Sequence, residues 1–289
     1  MRSGSFILAL FAFLVLSCSV MEDDKPEANM EFRPFYAVLD QPSSPETKVY
    51  VDDDLRLQWD DDDRITIYDR YTYGFEYKYV GDSGDGKGKF ECFEEIATSS
   101  FVFGNDMGTV CAVYPYVKGL QIWPSKKTYI EEFPLPAVQT YRENSLGRGA
   151  NTMISMGKDE NLAFKNVCGY LALKVYGNDV TVSSITLKGN NSEMIAGKAD
   201  IDISLDAAPS LRRFVEGKDS ITLECEDVKV GNTAKTATVF WLVVPPTKFE
   251  KGFTVAVEYN DEKEFVQTTS RSIEIKRSCL TRMAAFEVK

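Results

Sequence analysis

The side chains that could do chemistry in this chain are carboxylates, thiols and aromatic rings, because its 289 residues include no histidine. That absence removes the commonest general base, the Ser-His and Cys-His nucleophile pairs and most zinc sites together, and the chain reads as non-enzymatic. Carboxylates gather in two runs, Asp52 to Asp54 and Asp60 to Asp63. Calcium needs about six to eight oxygen ligands around one point, whereas neighbouring side chains on a strand point to opposite faces. The runs therefore read as solvated turns and no metal is expected. Residues 82–88 (DSGDGKG) lack the spacing and closing glutamate of an EF-hand loop and read as a hairpin turn. No glycine-rich phosphate loop stands between a strand and a helix, so no cofactor is expected either.

Tyr71, Tyr73, Phe75, Tyr77 and Tyr79 recur at every second position, which on a strand puts five rings on one face. Such a face can stack on sugars, or it can form core or a subunit contact. Acidic residues outnumber basic ones by 44 to 33, and no stretch concentrates Lys and Arg, so nucleic acid is not an expected partner.

Of the six cysteines, Cys18 stands apart from Cys92, Cys111, Cys168, Cys225 and Cys279. Met1 and Arg2 give a basic start, and residues 6–16 (FILALFAFLVL) form an apolar run of signal-peptide length, too short to span a bilayer. Val15, Leu16 and Ser17 then lead to Cys18, an arrangement that resembles the lipobox of bacterial lipoproteins, where the thiol and the new amine become acylated. Several chains, each contributing about 0.8 kcal/mol per buried CH2, would tether the mature protein firmly. Residues 1–17 are thus expected to be a lipoprotein signal peptide. Residues 18–31, with Glu22, Asp23 and Asp24 beside Pro26, are expected to be a flexible acidic tether. The acidic cluster resembles the signal that sends lipoproteins of some Gram-negative anaerobes to the outer leaflet, which implies an outer-membrane, cell-surface location. With Cys18 acylated, the five remaining cysteines cannot all pair, and their scatter suits mostly free, buried thiols; an exported protein still permits one or two bridges.

The elements that must position these residues are strands. From residue 32 onward, short alternating runs are broken by Gly, Asp, Asn and Pro, the mark of an all-β fold. Strands are expected over residues 35–39, 48–51, 55–59, 64–68, 75–80, 90–93 and 109–114. In the second half they are expected over 170–176, 180–188, 194–203, 220–224, 236–244, 253–259, 263–268 and 283–289. The apolar run before Pro245-Pro246 reads as a central strand buried on both faces. Residues 140–165, rich in Gly, Asn, Ser and charge, read as a linker, which divides the mature chain into 32–160 and 161–289.

Residues 55–68 (LRLQWDDDDRITIY), 163–175 (AFKNVCGYLALKV), 182–189 (VSSITLKG) and 272–288 (SIEIKRSCLTRMAAFEV) together resemble the fimbrillin family of surface lipoproteins. The resemblance implies two tandem transthyretin-like, Greek-key β-sandwiches and a role as a structural or accessory pilus subunit in cell adhesion. It also implies other pilin subunits as partners, with lipid anchoring in the outer membrane until a trypsin-like protease cuts in the loop after the first strand. Lys48, or else Arg56, is then the processing residue. The strand donated to a neighbour would be the last one, through Met283, Ala285, Phe286 and Val288. The rival expectation is a lipid-anchored surface protein that binds glycans through the Tyr71 to Tyr79 face.

Overall fold

The structure, a computed structural model, describes residues 33–43, 55–69, 74–81, 87–93, 108–122, 127–260 and 263–289. Cys18, Lys48, Tyr71, Tyr73, the 52–54 aspartates, residues 82–86, the acidic tether and the strand expected at 48–51 lie outside them. The described chain is all β, with no helix among the described residues. Before Val167 come β1 (Phe35–Leu39), β2 (Arg64–Asp69), β3 (Phe75–Tyr79), β4 (Lys87–Cys92), β5 (Val110–Tyr114), β6 (Tyr129–Leu135), β7 (Val138–Thr140), β8 (Met153–Gly157) and β9 (Asn161–Asn166). After it come β10 (Gly169–Tyr176), β11 (Thr181–Gly189), β12 (Ala196–Asp202), β13 (Ser210–Lys218), β14 (Ser220–Lys229) and β15 (Thr238–Val244). The last six are β16 (Thr247–Phe249), β17 (Phe253–Tyr259), β18 (Lys263–Thr268), β19 (Ile273–Ile275), β20 (Leu280–Arg282) and β21 (Phe286–Glu287).

In the first half the sheet closes on itself as a barrel in the order β1-β4-β3-β2-β5-β8-β9, with β9 returning to β1. Closure leaves no unpaired edge along the barrel wall. Every pairing is antiparallel except that of β1 with β9, which is parallel. Alternation sends Phe35, Ile65, Ile67, Tyr77 and Phe90 inward, each 0 % exposed. Trp59 fills the middle, edge-on to Phe90 at 4.9 Å, Tyr114 at 5.5 Å and Phe164 at 5.6 Å. The wall is thinned for the indole at Gly88, where a Cβ would stand 2.7 Å from Trp59 Cδ1.

The second half is a sandwich. One sheet runs β15-β10-β20, with β21 also on β10, and the facing sheet runs β18-β17-β11-β14-β7. Leu171, Leu173, Phe240 and Leu242 meet Ile185, Leu187, Ile221, Leu223, Val255 and Val257 between the two sheets. The reverse faces of β10 and β15, carrying Tyr170, Ala172, Trp241 and Val243, pack into the barrel-side core with Phe133 and Ile201. Burial on both faces explains why β15 reads as an unbroken apolar run (TVFWLVV). It nevertheless stands at the end of its sheet, not in the centre. Its open edge is covered by the Gln139 side chain, whose Nε2 donates to Val243 O at 2.8 Å while Val243 N–H donates to Oε1 at 3.0 Å.

Other expectations need correction. Residues 140–165 are no linker: they hold β8 and most of β9, and the chain crosses from barrel to sandwich at Val167 and Cys168. β6 and β7 pair with β12 and β14, so residues 129–140 belong by hydrogen bonding to the second half. Residues 55–59 alternate in burial as a strand would but form no named strand. Cys111, Cys168 and Cys225 are free and buried, and burial pushes each thiol up to about 12.

Candidate strand-docking site

β1 (FYAVL) is engaged on both edges and one face. Its alternation turns Phe35 and Ala37 inward, 0 % and 1 % exposed, and Tyr36 and Val38 outward, 48 % and 39 % exposed. Phe35 meets the Tyr77 ring edge-on at 5.2 Å. Phe35 to Val38 pair with Phe90 to Lys87 of β4, and Tyr36 to Leu39 with Asn161 to Phe164 of β9. Full burial of a phenylalanine side chain contributes about 2 to 3 kcal/mol, so this inward row holds the strand while the two ladders orient it.

Past Leu39 the hold changes from apolar to polar. Asp40 N–H donates to Phe164 O at 3.1 Å, and Asn166 Nδ2 donates to Asp40 O at 2.8 Å. The Gln41 side chain imitates a strand neighbour: its Nε2 donates to Leu57 O and Leu57 N–H donates to its Oε1, both at 2.9 Å. Ser43 N–H donates to Ser278 O at 2.7 Å and Leu280 N–H donates to Ser43 O at 2.9 Å, so Ser43 sits on the outer edge of β20. Asn166, 0 % exposed, is itself fixed by Asn151 Nδ2 at 3.0 Å and donates also to Ser278 Oγ at 2.9 Å. Arg277 donates to Asn166 O at 3.0 Å and stands 3.5 Å from the Asp40 carboxylate. Nothing in the sequence pattern singles out Gln41, Asn166 or Ser278, because their partners lie far along the chain.

The structure scatters the residues nominated from sequence. Arg56 is exposed in the segment that Gln41 grips. Met283, Ala285 and Phe286 are partly buried, and Val288 is fully so. That tail completes its own sandwich: β20 and β21 run parallel to β10, Met283 N–H donates to Ala172 O at 3.0 Å, and Val288 N–H to Tyr176 O at 2.8 Å. Of the five rings proposed for sugar stacking, the three that the structure describes offer little open surface. Tyr77 and Tyr79 are 0 % and 3 % exposed and Phe75 is partly buried, because this face of β3 is the one the barrel closes over. A ring that does reach solvent is Tyr36, over a groove of about 550 Å³ shared with Val38, Val80 and Lys87.

The second aspartate run is a charged turn at the barrel mouth. Arg142 pairs with Asp60, Arg148 donates to Asp61 O at 2.9 Å, and Lys78 stands 2.9 Å from Asp62. Asp63 points inward, accepting from Tyr114 Oη at 2.9 Å and from Asp60 N–H at 2.8 Å. Burial, opposed in part by the tyrosine's donation, pushes its carboxyl up to about 6. Among the described residues no three carboxylates or thiols gather as a metal site would require.

No family model and no curated protein matches the sequence. Solved structures do match in three dimensions. A candidate cell adhesion protein from Bacteroides ovatus superposes with a TM-score of 0.52 at 15% identity, covering 89% of this chain and 93% of its own. A candidate cell adhesion protein from Bacteroides uniformis gives 0.48 at 12% identity over 79% and 88%, and a fimbrial protein from Bacteroides ovatus gives 0.35 at 12% over 87% and 49%. The first of these shows a shared fold.

Proposed function

We propose that this chain is a non-enzymatic subunit of a fimbria-like cell-surface appendage, joined to its neighbours by exchange of β1. The observation that carries the reading is the placement of β1, the strand that closes the barrel. Its departure would open the edges of β4 and β9 and empty the positions of Phe35 and Ala37. An unpaired edge beside an empty apolar row is what an incoming strand satisfies: backbone bonds give affinity and side chains give register. The fold shared with the adhesion candidate supports a surface role. In this reading the chain travels as a lipoprotein acylated at Cys18, tethered to the outer membrane by residues 18–31. A trypsin-like protease then frees the barrel by cutting at Lys48, between Ser43 and Leu55. Arg56 suits the cut less well, since Leu57 beside it is bonded to Gln41. Against the glycan-binding alternative stands the burial of two of its rings, Tyr77 and Tyr79, in the barrel.

The test is N-terminal sequencing of protein recovered from cell-surface appendages. A new N-terminus within residues 44–54, together with polymers that persist on native gels, is the expected result. Appendage-embedded protein that keeps an acylated Cys18 overturns the proposal.

A further inference from the structure

Period-two alternation cannot by itself fix where a strand docks, because a slip of two residues restores the same face. β1 offers Phe35, Ala37 and the partly buried Leu39 to the barrel, a row that still turns apolar side chains to the core after such a slip. What does not tolerate it is the polar stretch that follows, where each group meets a fixed partner outside the ladder. The Gln41 amide meets both backbone groups of Leu57, the Asp40 carbonyl meets buried Asn166, and the Ser43 backbone meets Ser278 and Leu280 of the sandwich.

Resting on the exchange reading, we propose that the docking surface extends beyond the barrel to Leu57, Asn166 and the edge of β20, and that it selects a strand bearing a register lock. The strand that fits comes from a partner chain. It carries apolar side chains at the places of Phe35, Ala37 and Leu39, a side-chain amide at the place of Gln41, and an extended backbone as far as Ser43. This chain's own tail does not fit. Residues 280–289 (LTRMAAFEVK) contain neither Asn nor Gln, so no register brings an amide to Leu57. With Met283 in the place of Phe35, Lys289 falls where Gln41 stands. The surface therefore discriminates against the molecule's own C-terminal strand and favours a different donor.

The experiment uses the full chain with a site-specific protease site placed within residues 44–54. The chain is nicked there and challenged with fluorescent peptides while anisotropy is followed. A peptide of residues 33–43 is expected to enter. A peptide ending at Leu39, and a 33–43 peptide with Gln41→Ala, are each expected to bind at least about tenfold more weakly, the scale set by two lost hydrogen bonds. A peptide of residues 280–289 is expected not to compete. Equal binding of the truncated or Gln41→Ala peptide, or full competition by the tail peptide, overturns the inference. If no peptide enters at all, strand exchange itself fails, and the lock is then judged in the uncut chain. There, Gln41→Ala must speed amide exchange over residues 35–39, and unchanged protection of those amides overturns it.

Discussion

The barrel and the sandwich solve the same problem, a sheet edge with unpaired amides, in opposite ways. The barrel is sealed by a main-chain strand near the start of the chain, whose continuation past Ser43 leads into residues 44–54. The sandwich is sealed at β15 by one glutamine side chain and on β10 by the short pairings of β20 and β21. The first seal is one continuous strand, the unit that the proposed exchange would replace; the second is distributed over groups that are parts of larger elements. On the proposed exchange the replaceable part of the molecule is in the barrel, and its difference from the sandwich can be measured.

The largest effect is expected from Phe35→Ala, which removes the largest side chain of the β1 row. Loss of a fully buried ring costs about 3 to 5 kcal/mol, and urea denaturation should show it along with faster amide exchange across β4 and β9. Protection of β11 and β17 in the sandwich should stay as before, and equal loss in both halves would break the comparison.

Gln139→Ala comes next. It strips both partners from the Val243 backbone inside a buried region, at a cost of about 2 kcal/mol. Urea denaturation should show that loss, and a variant with unchanged stability would show that β15 is sealed by something other than Gln139.

The smallest effect concerns pH and belongs to the barrel mouth. Asp63 has a folded value of about 6 against 3.8 unfolded, so the native state holds the extra proton between those values and stability falls as pH rises through that window. From pH 5 to pH 7 this group removes about 1 kcal/mol. Asp63→Asn should flatten that part of the urea-midpoint profile, and a profile parallel to the unsubstituted chain would remove Asp63 from the account.

Much of the fold was legible because alternation survives in short strands: β1 and β17 fall on the residues that the period marked out. Strand β13 (SLRRFVEGK) escaped because both its faces are largely exposed, which erases the period. β8 and β9 escaped because Gly, Asn and charge around them mask five- and six-residue apolar patterns. Tyr77 and Tyr79 show the limit in another form. A period of two says that rings share a face, and only the closure of the barrel decides that the face is inside. The apolar half of the docking site could be read from Phe35 and Ala37. Its polar half could not, because Asn166 and Ser278 are 112 residues apart and each is an ordinary polar residue in its own neighbourhood.

The parallel ladder on one side of β1 and the antiparallel ladder on the other also set how the strand answers to force. Tension applied along its axis must shear both ladders and drag the Phe35 ring through the wall at once, so the load is shared over roughly 17 Å of strand. Peeling from one end would break the same bonds one after another. A joint built on this strand would hold hardest against a pull along its length, the direction in which flow stretches a filament fixed to a cell.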